Sequence, residues 1–475
     1  MSNAAHPYHP YQKAHPGGGV ALSSYDEQID HALASASETE RAEIVAAQRA
    51  LRSSAAADGL QFDTNHPYPV CLRPTVIRAE WADQLNRAGE RLIRLFDDVL
   101  ELYRRDPEVR RLYQTYEPVR DYLLAAPSFR PLTRICRFDG LVAPDGRYLI
   151  LETNTDCPAS LFTCGQATRL WRSMPNPILD KLGPAIEVVP QPIVETRNLF
   201  IAELLDVYRG ERGRDPVEVR IVNYNGRFTS EADLVIQGFG ERGIHCELID
   251  LRELQRTGGR ITHRGARIDL VYNKWDLRDL VRCPDATDYL RAVAAGEVLS
   301  VNPLASQWIY ADKSILTVLS DPRFGDHFAA ADRQLFQQHI PWTRTVLPGR
   351  STSMQGDAVD LCDYIKRNRA QLILKPTNGT WGDGLLIGSK TDESVWERAV
   401  DVAASEQSYV AQEYIQGHVV HCPDPATGDI APRIADLNTF VFGGRVAGFL
   451  SRANQSPIMS LYKGGAMLPV MIAHH

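Results

Sequence analysis

The chain has 475 residues, more than one ordinary hydrophobic core accommodates, so we expect about two to four packed units. Its composition is globular, with 44% hydrophobic and 23% charged residues, and the net charge of −7 argues against a general nucleic-acid binder, whose surface would be basic. The sequence has no apolar run long enough to span a bilayer and no signal-peptide pattern at its start, so we predict neither membrane insertion nor export.

The N-terminal region is predicted to be a tail followed by helices. Residues 1–22 are rich in His, Pro, Tyr and Gly without periodicity, which is typical of a disordered tail. Ser24-x-x-Glu27 predicts a capping box that opens a helix, and a longer helix is predicted over about 78–105. In that longer helix, apolar residues recur at three- and four-residue steps and predict one buried stripe: Trp81, Leu85, Ala88, Leu92, Phe96 and Val99.

The segment from Arg137 to Asn154 is predicted to form a β-hairpin. Two apolar, β-prone runs flank Asp145-Gly146, a strong short-turn signal. A loop of two residues or of four residues gives the same strand register. In that register Asp139 faces Glu152 and Arg137 faces Asn154, and alternation places all four side chains on one face of the hairpin.

These paired polar side chains suggest a metal site. The Asp139 and Glu152 carboxylates and the Asn154 amide oxygen suit Mg²⁺, a hard cation that takes a few oxygen ligands beside substrate phosphates. The alternative is a solvent-facing row of polar residues, which is common on one-sided sheets. We favour the metal interpretation, because like charges that face each other destabilise a hairpin unless something neutralises them.

The middle of the chain predicts a small, partly parallel α/β domain. A polar turn over 155–160 leads to a helix that reaches toward Trp171. Strand–helix–strand alternation follows, with strands at Val217–Tyr224, His245–Ile249 and Ile268–Tyr272 and a helix at Ser230–Glu241. After the last strand, Lys274, Trp275 and Arg278 could bind an anionic substrate, although a solvated strand end is the preferred interpretation.

The C-terminal part carries a candidate phosphate-binding loop. A helix opens at Asp312-Lys313, and the strand Gln371–Lys375 runs into a segment with glycines at 379, 382 and 384. Glycines let backbone N–H groups approach phosphate oxygens, and a lysine adds a point charge. The pattern is not a Walker A loop, and an ordinary loose loop is an equal alternative. Residues 412–415 resemble a hinge that could read adenine, but by themselves they indicate only a strand.

The combination of these motifs resembles the ATP-grasp enzymes, specifically the circularly permuted branch that includes glutathionylspermidine synthase. The resemblance covers roughly residues 130–470, and in this chain the metal pair precedes the nucleotide-binding lysines. It rests on motifs in family order: Arg137-x-Asp139, Glu152-x-Asn154, Asp156-x-Pro158, Asn302-Pro303, Lys313, Lys375-Pro376 with its glycines, Gln412-Glu413-Tyr414, Gly448 to Arg452, and Gly464-Gly465.

The resemblance implies a role for each matching residue. Mg²⁺ ions that bridge the ATP phosphates would be held by Asp139, Glu152 and Asn154. Phosphates would be contacted by Lys313 and Lys375, and Arg137 and Arg452 would stabilise the transferring phosphoryl group. A loop would close over the phosphates, and its residues are Asn378, Gly379, Thr380, Trp381, Gly382 and Gly384. A hinge would line the adenine pocket, and its residues are Gln412, Glu413, Tyr414 and Ile415. Trp381 and Asp383 stand where more Arg- or Glu-like residues are expected.

The resemblance also implies the fold and domain plan. We expect an α/β (α+β) protein with an ATP-grasp fold in circularly permuted order, a small α/β pre-ATP-grasp domain and an N-terminal helical region. The expected divisions are a disordered tail (1–22), a helical region (23–126), a core segment with the metal-binding hairpin (127–188), the α/β domain (189–310), and the lid and nucleotide-binding segment (311–475).

The implied activity is an ATP-dependent carboxylate–amine ligase that forms an amide through an acyl phosphate and releases ADP and phosphate. Its partners would be small-molecule carboxylate and amine substrates, with no nucleic acid and no membrane, and a homodimer is the default assembly. Eight scattered cysteines without a Cys-x-x-Cys pair are typical of reduced thiols in the cytoplasm. Two alternatives remain open: a nucleotide-binding module without ligase activity, and an ATP-dependent phosphotransferase.

Overall fold

The computed structural model describes residues 21–61, 67–125, 127–160, 162–180, 188–190, 196–224, 231–274, 283–379 and 382–474. The predicted tail up to residue 20 lies outside the described residues, as do Trp275, Arg278, Thr380 and Trp381.

The α-helices of the described chain lie between Ser24 and Glu406. None of the described helices is both long and apolar enough to span a membrane. Their bounds are Ser24–Ala34, Glu38–Ala57, Ala79–Arg105, Pro107–Arg111, Arg120–Leu124, Thr163–Ser173, Pro177–Asp180, Thr196–Arg212, Ala232–Gly240, Thr287–Ala294, Ser314–Ser320, Ala330–His339, Leu361–Arg367 and Glu393–Glu406.

The strands are numbered in chain order. They are β1 (Thr75–Arg78), β2 (Ile135–Val142), β3 (Tyr148–Asn154), β4 (Val188–Pro190), β5 (Glu218–Asn223), β6 (His245–Asp250), β7 (Gln255–Thr257), β8 (Arg260–His263), β9 (Ala266–Arg267), β10 (Leu270–Asn273), β11 (Leu299–Ser300), β12 (Thr343–Thr345), β13 (Arg350–Thr352), β14 (Ala358–Asp360), β15 (Leu372–Pro376), β16 (Leu386–Ile387), β17 (Tyr409–Glu413), β18 (Val419–Pro423), β19 (Ile430–Ala435), β20 (Leu437–Phe442), β21 (Arg445–Asn454), β22 (Ala466–Leu468) and β23 (Val470–Ala473).

A seven-stranded antiparallel sheet joins distant parts of the chain. Its order is β18-β19-β21-β20-β2-β3, and β22 pairs with β21. The hairpin β2–β3 therefore extends a sheet whose other strands come from the last sixty or so residues, through the pairing of β2 with β20. This long-range pairing brings the candidate metal residues next to the C-terminal strands.

The Ala79–Arg105 helix covers one face of this sheet. The predicted apolar stripe is buried, and Trp81 contacts Tyr148 edge-to-face with ring centroids 5.3 Å apart. Phe96 meets Phe138 of β2 in the same way at 6.3 Å. Such aromatic pairs add about 0.5–1.5 kcal/mol to the free energy gained by burial. The predicted bounds of this helix are right to one residue.

The first helix begins with a different cap from the one predicted. The capping residue is Ser23, whose hydroxyl oxygen accepts a hydrogen bond from the Tyr25 backbone N–H. The predicted cap was Ser24. A complete capping box occurs at the second helix, where Ser37 and Glu40 exchange hydrogen bonds. The packed chain starts just before the first helix, since Ala21 is fully buried and Leu22 forms a bridge with Ile77.

The predicted α/β unit is present as a parallel sheet. Strands β11, β10, β5 and β6 pair in that order, and every pairing is parallel. The Ala232–Gly240 helix connects β5 to β6, which is the crossover that parallel neighbours require. The prediction of a mixed α/β fold is confirmed by this unit together with the antiparallel sheets.

A second antiparallel sheet, with strand order β12-β17-β15-β16, carries the candidate nucleotide residues. The Leu361–Arg367 and Glu393–Glu406 helices cover it, and the fully buried Trp396 donates from its indole N–H to the Ile365 carbonyl at 3.1 Å. This packing makes the sheet and its helices a separate layer, which we call the lid.

The β2–β3 register is as predicted at its open end but not at its turn. Asp139 pairs with Glu152 and Arg137 with Asn154. The loop has neither two nor four residues, because Ala143 and Arg147 are hydrogen-bonded and three residues, 144–146, remain between them, with Gly146 at φ +84°. A bulge between Asp139 and Gly140 restores the predicted register beyond the turn.

Candidate functional site

A cleft of about 370 Å³ separates the seven-stranded sheet from the lid. It gathers most of the predicted site residues, although these come from positions far apart in the sequence. The predicted residues that line it are Arg137, Asp139, Glu152, Asn154, Lys313, Lys375, Gly379, Gly382, Gln412, Glu413, Tyr414, Ile415 and Arg452. Asn378 and Gly384 are not among the residues that line the cleft, and Thr380 and Trp381 lie outside the described residues.

Asp139 lies at the centre of the polar floor of the cleft. Its two carboxylate oxygens accept from Arg137 at 2.5 and 2.9 Å, from Arg452 at 3.0 Å and from the Asn154 amide at 3.0 Å. Burial opposes ionisation of Asp139, but Arg137 and Arg452 outweigh it and lower the pKa of Asp139 below its usual value. The carboxylate is therefore charged, and the two guanidinium groups neutralise it.

Asp436 is a site residue that sequence reasoning missed. It is buried, lines the cleft, and accepts from the Arg452 backbone N–H at 2.7 Å and from Arg452 Nε at 2.8 Å. Burial raises the pKa of Asp436, while the Arg452 charge counteracts this shift. Arg452 is thus held between two carboxylates, Asp436 and Asp139.

Two lysines face the hairpin from the lid side. Lys313 Nζ lies 3.1 Å from Glu152 Oε2 and donates to the Gly379 carbonyl at 2.8 Å. Lys375 Nζ donates to Gln412 Oε1 at 2.7 Å. Burial lowers the pKa of Lys375 to about 8, although the Glu152 charge acts in the opposite direction. A buried ammonium with a neutral acceptor is stabilised by an anion placed in the cleft.

The glycine segment lies at the mouth of the cleft. Gly382 has φ +71° and Gly384 has φ +72°, a conformation that favours glycine. A Cβ on Gly382 would come within 2.6 Å of Ile458 Cγ2, so this glycine also permits contact with the facing 457–461 segment. Asp383 pairs with Lys463 at 2.8 Å across the same opening.

The Gln412–Ile415 segment forms the end of β17 and the residues after it. Gln412 is buried, and its amide nitrogen donates to Thr343 at 3.0 Å, while its oxygen accepts from Lys375. The backbone N–H groups of Glu413 and Tyr414 donate to the Trp342 and Gln371 carbonyls at 2.8 Å each. Gln412 therefore orients Lys375, and the segment is fixed to both neighbouring strands.

Asn302 aligns the strands that carry the polar floor. Its oxygen accepts from the backbone N–H groups of Arg134 and Ile135, at 2.7 and 3.0 Å, where β2 begins. Its nitrogen donates to the Ile135 and Thr155 carbonyls at 2.6 and 2.7 Å, next to the start of β2 and just past the end of β3. One buried amide thus fixes both strands at the end where Arg137 and Asn154 lie.

The other end of the cleft is built from the α/β unit and the N-terminal region. Lys274 donates to the Pro158 carbonyl at 2.9 Å and lies 3.4 Å from Glu231. Glu231 in turn accepts from the backbone N–H groups of Phe162 and Thr163 at the start of the Thr163–Ser173 helix, at 2.7 and 3.3 Å. The Lys274 side chain is 11% exposed, so its interpretation as a solvated strand end is wrong.

The donor set agrees with a divalent cation beside a polyphosphate. Asp139, Glu152 and Asn154 offer oxygens of the kind that Mg²⁺ prefers, while Lys313 and Lys375 supply positive charge for phosphates. Within the described residues, no group of three or more His, Cys, Asp or Glu side chains forms a metal cluster by itself. Protein ligands would therefore account for only part of the coordination, as is usual when Mg²⁺ is shared with substrate phosphates.

Comparison with known proteins finds relatives named as ligases. No protein-family model matches the sequence. A Frankia casuarinae protein with the provisional name glutamate–cysteine ligase 2-2 is 23% identical over 313 residues, which are 63% of this chain and 33% of that protein. A Frankia alni protein with the provisional name glutamate–cysteine ligase 2-3 is 26% identical over 188 residues, which are 38% of this chain and 20% of that protein. The chain spans a third or less of these curated relatives.

Two solved structures are similar to about half of the chain. A RimK domain ATP-grasp protein from Sphaerobacter thermophilus matches 51% of this chain and 94% of its own, with 17% identity and a TM-score of 0.26. D-cycloserine synthetase DcsG matches 54% of this chain and 90% of its own, with 12% identity and a TM-score of 0.28.

Proposed function

We propose that the protein is an ATP-dependent carboxylate–amine ligase of the ATP-grasp type. The observation that carries this proposal is the composition of the cleft. Four cationic side chains, Arg137, Arg452, Lys313 and Lys375, converge there with the oxygen donors Asp139 and Glu152. Phosphoryl transfer depends on charge neutralisation and in-line positioning more than on covalent chemistry by the protein, and this set supplies both.

The proposed reaction has two steps. A substrate carboxylate oxygen attacks the γ-phosphorus of ATP, the bond to the ADP oxygen breaks, and an acyl phosphate forms. An amine then attacks the acyl carbon, the bond to the phosphate oxygen breaks, phosphate leaves, and the amine nitrogen gives up a proton as the amide forms. The relatives' names as glutamate–cysteine ligases support amide formation as the outcome.

The side chains take part through charge and position. Lys375 on the lid, oriented by Gln412, and Lys313 at the start of the Ser314–Ser320 helix, held by the Gly379 carbonyl, bind the phosphates. Arg137 and Arg452 stand at the floor, where negative charge accumulates on the transferring group. Bound Mg²⁺ would neutralise phosphate charge, with Asp139, Glu152 and Asn154 as its protein ligands.

The glycine segment and the hinge have proposed roles in enclosing the nucleotide. The 378–384 loop would cover the phosphates and exclude water from the acyl phosphate. Its partner across the opening is the 457–461 segment, which Gly382 approaches closely. Gln412 to Ile415 would line the adenine pocket, as all four border the cleft.

The finer assignment is to the circularly permuted, glutathionylspermidine synthase-like branch. The order of elements supports it, because the hairpin β2–β3 precedes the lid in sequence and yet pairs with β20, which follows the lid. The proposed divisions remain those at residues 126, 188 and 310, whereas the tail ends before the buried Ala21 rather than at residue 22. The proposed location is the cytoplasm.

The test is Mg²⁺-dependent ADP release with pooled carboxylates crossed with pooled amines, with products identified by mass. A ligase releases ADP only with a matched pair and yields the sum of the two substrates minus water. A phosphotransferase product would retain phosphate instead. Nucleotide binding without ADP release in any pool would favour a binding module and would contradict the proposal.

A further inference from the structure

The end of the cleft remote from the lid carries a second set of polar groups that the phosphoryl chemistry does not use. It is lined by Tyr68, Asp156, Ser160, Glu231 and Lys274. These residues come from the N-terminal region, the segment after β3 and the α/β unit. Their convergence in the same cavity as Arg137 and Arg452 places them where a second substrate would lie.

Within the described residues, Lys274 has hydrogen-bonding capacity left over. Its ammonium carries three donors, of which one reaches the Pro158 carbonyl at 2.9 Å and one faces Glu231 at 3.4 Å. Glu231 is itself fixed by the start of the Thr163–Ser173 helix. The carboxylate therefore holds Lys274 in place without occupying all of its protons.

Tyr68 presents a second donor at this end of the cleft. Its side chain is buried, with 2% of the residue exposed, and its hydroxyl faces the Ser160 side chain, although among the described residues it makes no hydrogen bond of good geometry. Burial raises the pKa of Tyr68 above its usual value, so the hydroxyl keeps its proton and can donate. A buried donor without a partner costs free energy unless a ligand satisfies it.

The distance from these donors to the reacting end is short. Lys274 binds the Pro158 carbonyl, and Arg137 binds the carbonyl of the next residue, Ala159, at 2.8 Å. Consecutive Cα atoms are about 3.8 Å apart and each carbonyl oxygen lies about 2.4 Å from its own Cα, so the ammonium and the guanidinium lie within about 14 Å of each other. A small molecule in the cleft can therefore reach both groups.

We propose that Lys274 and Tyr68 bind the free carboxylate of an amino acid that serves as the amine substrate. The proposal rests on the ligase function and names its second substrate class. With its carboxylate on Lys274 and Tyr68, the amino acid extends its amine toward Arg137 and Arg452, where the acyl phosphate forms. An amine that lacks a carboxylate would leave the third Lys274 proton and the Tyr68 hydroxyl without this acceptor, and such a mismatch disfavours the wrong substrate.

The test is isothermal titration calorimetry with the standard amino acids and with their C-terminal amides, in the presence of Mg²⁺ and a non-hydrolysable ATP analogue. We expect at least one free amino acid to bind and its amide to bind about 10- to 100-fold more weakly, the loss expected for hydrogen bonds to a charged group. Equal affinity for acid and amide, or binding by none of the free acids while the nucleotide binds, would overturn the proposal.

Two variants separate ligand binding from structure. Lys274→Met should remove the preference for the acid over the amide, and Lys366→Met is the matched control, since Lys366 pairs with Asp401 on a lid helix away from the cleft. Tyr68→Phe should weaken binding of the acid with little loss of thermal stability, because among the described residues the deleted hydroxyl makes no hydrogen bond of good geometry. Unchanged acid binding in both variants would contradict the assignment.

The same experiments distinguish failure of this proposal from failure of the proposed function. If ADP release never occurs but a free amino acid still binds through Lys274, the carboxylate subsite stands and the ligase assignment falls. If ADP release requires an amine without a carboxylate, the ligase assignment stands and the subsite falls.

Discussion

The buried ammonium of Lys375 lies 2.7 Å from the amide oxygen of Gln412, on the neighbouring strand of the lid sheet. Burial lowers the pKa of Lys375 to about 8, so this charge is poorly compensated before an anion enters the cleft. The pair is fixed from behind, since the Gln412 amide nitrogen donates to Thr343 at 3.0 Å. Lys375 is therefore a cation whose environment improves when phosphate binds.

We predict that nucleotide binding takes up a proton near pH 8. ATP phosphates raise the pKa of Lys375 above its value of about 8 in the free protein, so the lysine becomes protonated on binding and affinity falls as the pH rises beyond 8. Calorimetric titrations in buffers of different ionisation enthalpy measure this uptake. Lys375→Met should abolish the uptake, and an unchanged uptake in that variant would contradict the assignment.

The same lowered pKa affects stability. The unfolded lysine titrates near its ordinary value of 10.5, so between about pH 8 and that value the unfolded chain binds more protons than the folded one. The contribution of Lys375 to the free energy of unfolding therefore increases with pH over that window. A comparison of denaturant unfolding for wild type and Lys375→Met across the window isolates this contribution.

Glu152→Gln should reduce turnover about 10²- to 10³-fold while the protein stays folded. The carboxylate is 30% exposed and faces Lys313 at 3.1 Å, so its loss removes a charge from the cleft at little structural cost. Steady-state kinetics with thermal unfolding measure both effects. Asp145→Asn is the matched control, because Asp145 lies at the turn of the same hairpin and pairs with Arg147. Wild-type turnover in Glu152→Gln would contradict its role.

Asp436→Asn should lower kcat about 10- to 100-fold with a smaller effect on the KM for ATP. The substitution weakens the carboxylate anchor that Arg452 has in addition to Asp139, and hydrogen bonds to charged groups contribute about 1.5–3 kcal/mol. The control is Asp424→Asn, since Asp424 pairs with Arg433 outside the cleft. A loss confined to KM would show that Asp436 acts on nucleotide binding instead.

Gly382→Ala should reduce turnover more than Gly213→Ala does, although the two substitutions strain the backbone by similar amounts. Gly382 and Gly213 both adopt positive φ, +71° and +68°, so alanine strains either backbone by about 1–2 kcal/mol. At Gly382 the new Cβ meets Ile458 at 2.6 Å, whereas at Gly213 no atom of the described residues lies within 4 Å of it. Equal kinetic effects of the two variants would contradict a role for the Gly382–Ile458 contact in closing the cleft.

The hairpin register was predicted correctly because two unpredicted features, each of which shifts the strand pairing by one residue, cancel. The actual loop of three residues shifts the pairing by one position, and the extra residue at the bulge, Leu151, shifts it back. A bulged leucine has the same apolar character as its neighbours in the strand, so no pattern reveals it. The facing of Asp139 and Glu152 was therefore predicted correctly from an incorrect turn.

The residues that sequence reasoning missed depend on long-range contacts. Lys274 was interpreted as solvated because its partner Glu231 is 43 positions away and approaches only when the α/β unit folds. Asp436 pairs with Arg452 across neighbouring strands, and a lone Asp before a strand carries no signal of that pairing. An arginine on a strand with a carboxylate near the start of the preceding strand is the pattern that could have found it.

The most direct test of the central claim is transfer of ¹⁸O from the carboxylate substrate to phosphate. In the proposed reaction the carboxylate oxygen that attacks the γ-phosphorus leaves with the phosphate, so each turnover should give phosphate that carries one labelled oxygen, detected by mass spectrometry. Phosphate without label, formed with ADP in the presence of both substrates, would contradict an acyl-phosphate ligase built around Arg137, Arg452, Lys313 and Lys375.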